Sequence, residues 1–268
     1  MSKAYNEMSY VEVAAIYNDI NNIPLDAAQT LGKSISELVG EGATMMDFGG
    51  GAGRISVPIA AHTNMIAVDI EHHMLKASKK LAEDRHIVAR QAVGTVLQTP
   101  FASNTFDAVI TTNVLHQIEM WRDALNEAAR VLKPEGLFLI GRDVLDEESC
   151  AGILRSMSRY FTVDIAPEMK PTDAAGPALF QKIQEMGGSM TRPVVASSWI
   201  EKVSANEILQ RMEDGVHNET WSLSREVIDE LMAKLRPWAQ ENIADLDAVE
   251  DVKWEFHVYP ISGIGQKG

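Results

Sequence analysis

Two aspartates bracket a run of glycines in this chain: Asp47 in "MMDFGGGAGR" and Asp69 in "NMIAVDI". Glycine backbone admits a polar ligand where a Cβ would not, and a carboxylate accepts hydrogen bonds and balances positive charge. Asp47 ends a short apolar run just before Gly49, Gly51 and Gly53. An acid at that point repels a pyrophosphate but suits a ligand with an amino group and no phosphate; it could also simply cap the glycine turn. Asp69 follows the first glycine by about 20 residues, where an acid can accept both hydroxyls of a ribose. A third group lies in "TTNVLHQ": His116 titrates near neutrality and is the best candidate for a general base, with Asn113 beside it.

The glycine spacing narrows the ligand. A dinucleotide fingerprint reads G-x-G-x-x-G, and counted from Gly49 its third glycine falls on Arg54. Counting from Gly50 or Gly51 fails as well. The pattern present is G-x-G-x-G, through Gly49, Gly51 and Gly53, a signal that an ordinary glycine turn also produces.

These residues need strands that end at one place. "ATMMDF", "NMIAVDI", "IVARQAV", "TFDAVITTNVL" and "LFLIGRDV" read as strands, alternating with helices such as "EHHMLKASKKLAEDR" and "WRDALNEAARVL", the latter stopped by "KPEG". That rhythm predicts a mainly parallel sheet covered on both faces. Residues 1 to 40 carry helical spacing. Beyond Asp143 the rhythm breaks: a helical and loop-like insertion, the helix "PALFQKIQEMGG", a strand in "RPVVASSWIEKVS", a helix over "SREVIDELMAKLRPWAQENI" kinked or broken at Pro237, and a closing strand "VKWEFHVYPI".

Totals exclude several classes. The 268 residues carry a formal charge of −14, which opposes nucleic-acid binding because that is driven by Lys and Arg neutralising phosphates. No apolar run approaches the roughly 18 residues of a membrane span. The single cysteine, Cys150, suits a reducing compartment, and the N-terminus lacks the pattern of a secretory signal, so the expected location is cytoplasmic.

Four stretches in order, "MMDFGGGAGR", "MIAVDIEHHMLKAS", "TPFASNTFDAVITTNVLHQI" and "EAARVLKPEGLFLIGRDV", resemble the successive motifs of class I S-adenosylmethionine-dependent methyltransferases. The nearest branch is the small-molecule one that includes the ubiquinone/menaquinone-type C-methyltransferases. The resemblance covers roughly residues 40 to 145. It implies an α/β Rossmann-like fold with a seven-stranded, mainly parallel sheet in the order 3-2-1-4-5-7-6, N-terminal helices and a helical lid after strand 5. It divides a single domain, 1–268, into cofactor-covering helices (1–40), a binding core (41–143), a lid and acceptor insertion (144–190) and C-terminal strands and helices (191–268).

The cofactor implied is S-adenosyl-L-methionine, with S-adenosyl-L-homocysteine as product. On that resemblance Asp47 and the Gly49–Gly53 backbone hold the methionine end, and Asp69 the ribose. Ile70 and Met74 pack on the adenine, Thr95 and Val96 reach its edge, and Tyr17 closes over the cofactor. Asn113 to His116 line the path of the methyl group. Thr95 departs from the acid common in the family, and Gly50 stands where a cysteine is frequent.

Methyl transfer from a sulfonium is an in-line displacement in which positioning supplies much of the acceleration. A base is needed only for an acceptor whose proton is held above ambient pH, so side chains say little about the acceptor. Arg142 and Asp143 end strand 5 as acceptor ligands or as a surface pair. No metal signature is present. Strand 4 lacks the Asn/Asp-Pro-Pro-aromatic signature of enzymes that methylate nucleobase or glutamine nitrogens. Aromatic and Met residues beyond 144 (Met157, Tyr160, Phe161, Met169, Phe180, Met186, Trp199, Trp221 and Trp238) favour an apolar or aromatic small acceptor as a group, although each could be core. Two alternatives stay open: a homologue that binds the cofactor without methylating, regulatory or cyclase-like, and an NAD(P)-dependent oxidoreductase.

Overall fold

The central strand of the sheet is β1 (Thr44–Phe48), whose residues 45–48 are all buried. The computed structural model describes residues 14, 17, 18, 21, 23–167, 172–220 and 223–265. Before β1 runs the helix α1 (Leu25–Val39); most of the expected helix over 10–20 lies outside the described residues, although Ala14, Tyr17 and Asn18 are helical. After β1 come a short helix α2 (Ser56–Ala60), β2 (Asn64–Asp69), α3 (His72–Asp84), β3 (Arg90–Val93), β4 (Phe106–Thr112), α4 (Trp121–Val131) and β5 (Leu132–Leu145). The chain continues through α5 (Cys150–Ile165), α6 (Pro177–Glu185), β6 (Ser189–Met190), β7 (Val194–Ser204), α7 (Ala205–Glu213), α8 (Arg225–Asn242) and β8 (Val249–Ser262).

The strands order as β3-β2-β1-β4-β5-β8-β6, with β7 pairing β8 off this path. β1 is parallel to both β2 and β4, β2 to β3, and β4 to β5. β6 runs antiparallel to β8. This is the expected Rossmann-like order, with β8 in the place of the seventh strand and one strand more than expected. The strand read at 192–204 is that extra one, β7; the edge strand β6 has two residues and no alternation to betray it.

The helix α4 ends at Val131, as the "KPEG" stretch predicts, but strand 5 starts earlier than the expected Leu137. β5 already begins at Leu132 against Phe106, and the register then jumps to Ala108 opposite Leu137. Pro134 and Gly136 occupy that irregular stretch, as such residues do at bulges. Likewise α8 passes through Pro237 without a break.

The chain divides into two compact units, one of residues 17–143, 171–197 and 256–268, the other of 1–16, 144–170 and 198–255. In the first, Met46, Phe48, Val68, Val109, Phe138 and Ile140 share a core with Trp121, Leu125 and Ala128 of α4 and with Leu179 and Ile183 of α6. The strands are apolar on both faces because helices cover both. In the second, Leu154, Leu209, Met212, Leu231 and Leu235 centre a helical core of α5, α7 and α8. No helix among the described residues is long and apolar enough to cross a membrane.

Candidate functional site

Side chains alternate along a strand. Met46 and Phe48 point into the core with α4, so Asp47 points to the opposite face of the sheet, at its carboxyl end. There it is 2% exposed. Burial pushes its carboxyl up to about 7; the Ser56 hydroxyl pulls the other way, and the charge of Asp69 adds to the rise. The described residues thus leave a buried acid that favours its proton near neutrality.

The glycine loop explains its own spacing. Gly49, Gly51 and Gly53 have φ of 89°, 49° and 83°, left-handed values at which a Cβ is strained. A Cβ on Gly49 would also strike Val114, and one on Gly53 would strike Ser78, so the end of β4 and the helix α3 both press on the loop. Gly50 has ordinary φ, yet a Cβ there would lie 2.8 Å from that of Ala67. Replacing it by cysteine therefore has a steric consequence that the sequence does not betray.

The loop's donors are largely engaged. The N–H groups of Gly49 and Gly50 both donate to the Val68 carbonyl at 2.9 Å, and that of Gly53 donates to the Gly50 carbonyl at 3.0 Å. Gly51 N–H donates to Asp69 Oδ2 at 2.8 Å. The helix that follows, α2, has only five residues and no side-chain cap. A pyrophosphate site relies on free amides at a helix start, and here four amides already have acceptors.

Asp69 accepts a second bond, from Glu71 N–H to Oδ1 at 2.8 Å, and burial raises its carboxyl above the usual range. Each oxygen keeps accepting capacity. Ile70 stands beside it, 74% exposed, while Met74 on α3 is buried, its methyl next to Gly51. Gly94 N–H donates to the Asp69 carbonyl at 3.0 Å, which draws Thr95 and Val96 to the same end of the sheet. Thr95 Oγ1 accepts from Leu97 N–H at 3.2 Å, and Val96 is buried. The segment is anchored further on: Thr99 donates through both N–H and hydroxyl to Glu127 of α4 at 2.6 and 2.7 Å.

Arg54, read from sequence only as the residue that spoils the dinucleotide spacing, is a member of the site. Its guanidinium makes two bonds to Asp143 at the end of β5, at 3.0 and 2.5 Å, with both side chains largely buried. Asp143 thus pairs with Arg54 and not with its neighbour Arg142. Arg54 Nε is buried and has no hydrogen-bond partner among the described residues. Tyr17 is set among Arg54, Asp143, Asp69 and Asp47, and its phenol is pushed up chiefly by burial. Asn18 donates to the Ala52 carbonyl within the glycine loop at 3.1 Å. Neither Asn18 nor the Arg54–Asp143 pair was a sequence candidate; an arginine directly after the last glycine was the available signal.

Asn113 and His116 follow β4 on either side of Val114, the residue that presses on Gly49. Asn113 has φ of 56° and is exposed; its carbonyl accepts from Gln117 at 2.7 Å. Left-handed backbone is tolerated by asparagine and turns the chain sharply after β4. His116 follows in a single 3-10 turn, its carbonyl accepting from Thr172 N–H at 3.2 Å. Burial, with the charge of Arg142, lowers its pKa below the ordinary histidine value, so the ring is neutral at pH 7 and able to take a proton.

Other candidates have structural partners. His73 Nδ1 lies 2.9 Å from Glu71, the N-cap of α3. Phe180 and Met186 belong to the sheet unit, whereas Met157, Phe161 and Trp238 pack on the helical core of the other. Trp199 stacks on Trp254, and Tyr160 is 71% exposed. Met169 and Trp221 lie outside the described residues.

Residues 46–140, which run from within β1 to within β5, match the methyltransferase domain family. Over that segment the chain is similar to the class I S-adenosylmethionine-dependent methyltransferases. It is 26% identical over 226 residues to a demethylmenaquinone methyltransferase of Renibacterium salmoninarum, a match spanning 80% of this chain and 92% of that one. It is 34% identical over 104 residues to the ubiquinone/menaquinone biosynthesis C-methyltransferase UbiE of Cereibacter sphaeroides, covering 37% of this chain and 42% of the relative. Among solved structures, the YcgJ protein of Bacillus subtilis superposes with a TM-score of 0.55 at 18% identity, over 89% of this chain and 99% of that one. The chain therefore shares the fold of that structure.

Proposed function

We propose that this protein transfers a methyl group from S-adenosylmethionine to a small-molecule acceptor in the cytoplasm. The observation that carries the reading is Asp47: a buried carboxyl at the end of β1, beside a second acid and against a loop whose amides are engaged. Such a place repels phosphate and lowers its energy by receiving a cation. S-adenosylmethionine, when bound, supplies an electrophilic methyl on a positively charged sulfur, together with an ammonium and a carboxylate.

The residues present fit that group. Asp47 and the backbone of Gly49, Gly51 and Gly53 hold the amino-acid end, and the orphan Arg54 Nε donates to its carboxylate. Asp69 receives the ribose hydroxyls with its remaining lone pairs. Ile70, Met74 and Val96 flank the adenine, with Thr95 at its edge; Tyr17 and Asn18 cover the loop. Asn113 lines the route to the acceptor, and His116 takes the proton of an O–H, N–H or C–H acceptor. A quinone-type ring, as in the names of the relatives, is the acceptor class to test first; nucleic acid is not expected.

Calorimetry with S-adenosylhomocysteine tests the cofactor, and release of S-adenosylhomocysteine across quinols, phenols, thiols, amines and carboxylates tests the reaction. Absence of binding sinks the reading. Tight binding without release from any acceptor favours a non-methylating homologue, and enhanced NADH fluorescence on mixing would revive the oxidoreductase.

A further inference from the structure

Arg142 is the basic residue the proposed reaction has not used. It lies near the carboxyl end of β5, one residue before Asp143, on the face that carries Ile140 and α6. Its guanidinium is 5.6 Å from the ring of Phe180 on α6 and 5.9 Å from that of Tyr259 on β8. The two rings are 6.3 Å apart and tilted by 49° to each other. No carboxylate pairs with Arg142 among the described residues, although 38 acidic residues outnumber 24 basic ones in this chain. Its sequence neighbour Asp143 is held by Arg54. An arginine with aromatic neighbours keeps the edge of its planar fork free, and that edge matches a carboxylate with two parallel bonds.

We propose that Arg142 is the acceptor-binding residue that selects a carboxylate-bearing acceptor, with Phe180 and Tyr259 flanking the body of that molecule. The inference rests on the methyl-transfer reading above and names the class of its acceptor. His116 is the nearby proton acceptor: Arg142 is close enough for its charge to disfavour the imidazolium. Thr172, whose N–H donates to the His116 carbonyl, also has a buried hydroxyl with no hydrogen-bond partner among the described residues. On a chain of net charge −14, long-range attraction does not bring in a carboxylate, so recognition falls to a local cation. Partial burial between rings strengthens such a contact relative to open water.

The test uses the full chain with histidines labelled for NMR, the His116 signal being identified by its loss in His116→Gln. Sodium benzoate and neutral benzamide are compared at matched salt. The expected result is a saturable displacement of the His116 signal by benzoate and none by benzamide. Arg142→Gln weakens the benzoate response by about tenfold or more, the loss expected for a charged hydrogen-bonded pair, and Arg142→Lys retains part of it. A His116 signal indifferent to benzoate, or equally moved by benzamide, overturns the proposal, and this wild-type comparison stands whether or not the variants fold. S-adenosylhomocysteine calorimetry on the same samples reads the cofactor site separately. Loss of that binding with the benzoate response intact refutes the methyl-transfer reading and leaves the carboxylate site standing.

Discussion

Asp47→Asn separates the stability of the protein from its ligand binding. The carboxyl has a pKa of about 7 in the fold, against 3.8 for an ordinary solvated aspartate. Between those values the folded chain holds the proton more tightly than the unfolded chain, so stability falls as pH rises through the window. The difference of about 3 units corresponds to about 4 kcal/mol, complete once the pH is above 7. Asparagine has nearly the same shape and no charge. The variant is therefore expected to match the parent near pH 4 and to exceed it by up to about 4 kcal/mol at pH 8. Relief of Asp69 next door adds in the same direction. Urea denaturation of both proteins at a series of pH values, without ligand, measures the difference. S-adenosylhomocysteine affinity should move oppositely, the variant binding more weakly because the ligand's ammonium loses a carboxylate. A stability difference that is flat from pH 4 to pH 8 would refute the placement of an uncompensated acid at the end of β1.

Three further outcomes follow from particular contacts. Arg54→Gln leaves Asp143 buried without its cation and should destabilise the fold by about 3 kcal/mol or more, whereas the double variant Arg54→Gln/Asp143→Asn recovers most of that loss in urea denaturation. Gly50→Ala forces a Cβ towards Ala67 and should cost about 1–3 kcal/mol, with Ala67→Gly restoring stability in the pair. His217 is half-buried, its Nδ1 accepting from Glu219 N–H at 3.2 Å, and desolvation lowers its pKa to about 4 against the opposing charge of Glu219. Because the unfolded chain takes up that proton first, His217 contributes stability above about pH 6.5 that is lost as pH falls toward 4, worth about 3 kcal/mol. His217→Gln should flatten the acid limb of a thermal-melt series over that window.

The parts of this site that were legible in sequence are those whose cause is local. Three left-handed positions at alternate residues demand the glycines at 49, 51 and 53, and a strand buried on both faces demands an apolar run before them. The same holds for α4, whose buried face repeats with helical period. What escaped depends on distance. Arg54 and Asp143 are 89 residues apart, and nothing periodic connects them. Asn18 reaches Ala52 across 34 residues. The early start of β5 escaped because Pro134 and Gly136 suit both a helix stop and a bulged strand, and only the partner strand shows that pairing has begun at Leu132. Gly50 looked exchangeable because its constraint is Ala67 on the neighbouring strand.

Charge sorts the sheet unit in a way that neither set of residues explains alone. Asp47 and Asp69 lie at the ends of β1 and β2, both with carboxyls raised above their usual range. Arg142 lies on β5, two strands from β1, with aromatic neighbours and no paired carboxylate among the described residues. Arg54 and Asp143 belong to neither group, because each neutralises the other. Arg142 and Asp143 are consecutive on one strand and so point to opposite faces of the sheet, Asp143 toward Arg54 and Arg142 toward Phe180. The arginine that breaks the dinucleotide spacing therefore neutralises Asp143 on one face of the sheet, while strand alternation leaves Arg142 to its aromatic neighbours on the other. A cationic cofactor at the acids and an anionic acceptor at Arg142 would then be drawn to separate places along the carboxyl ends of the strands.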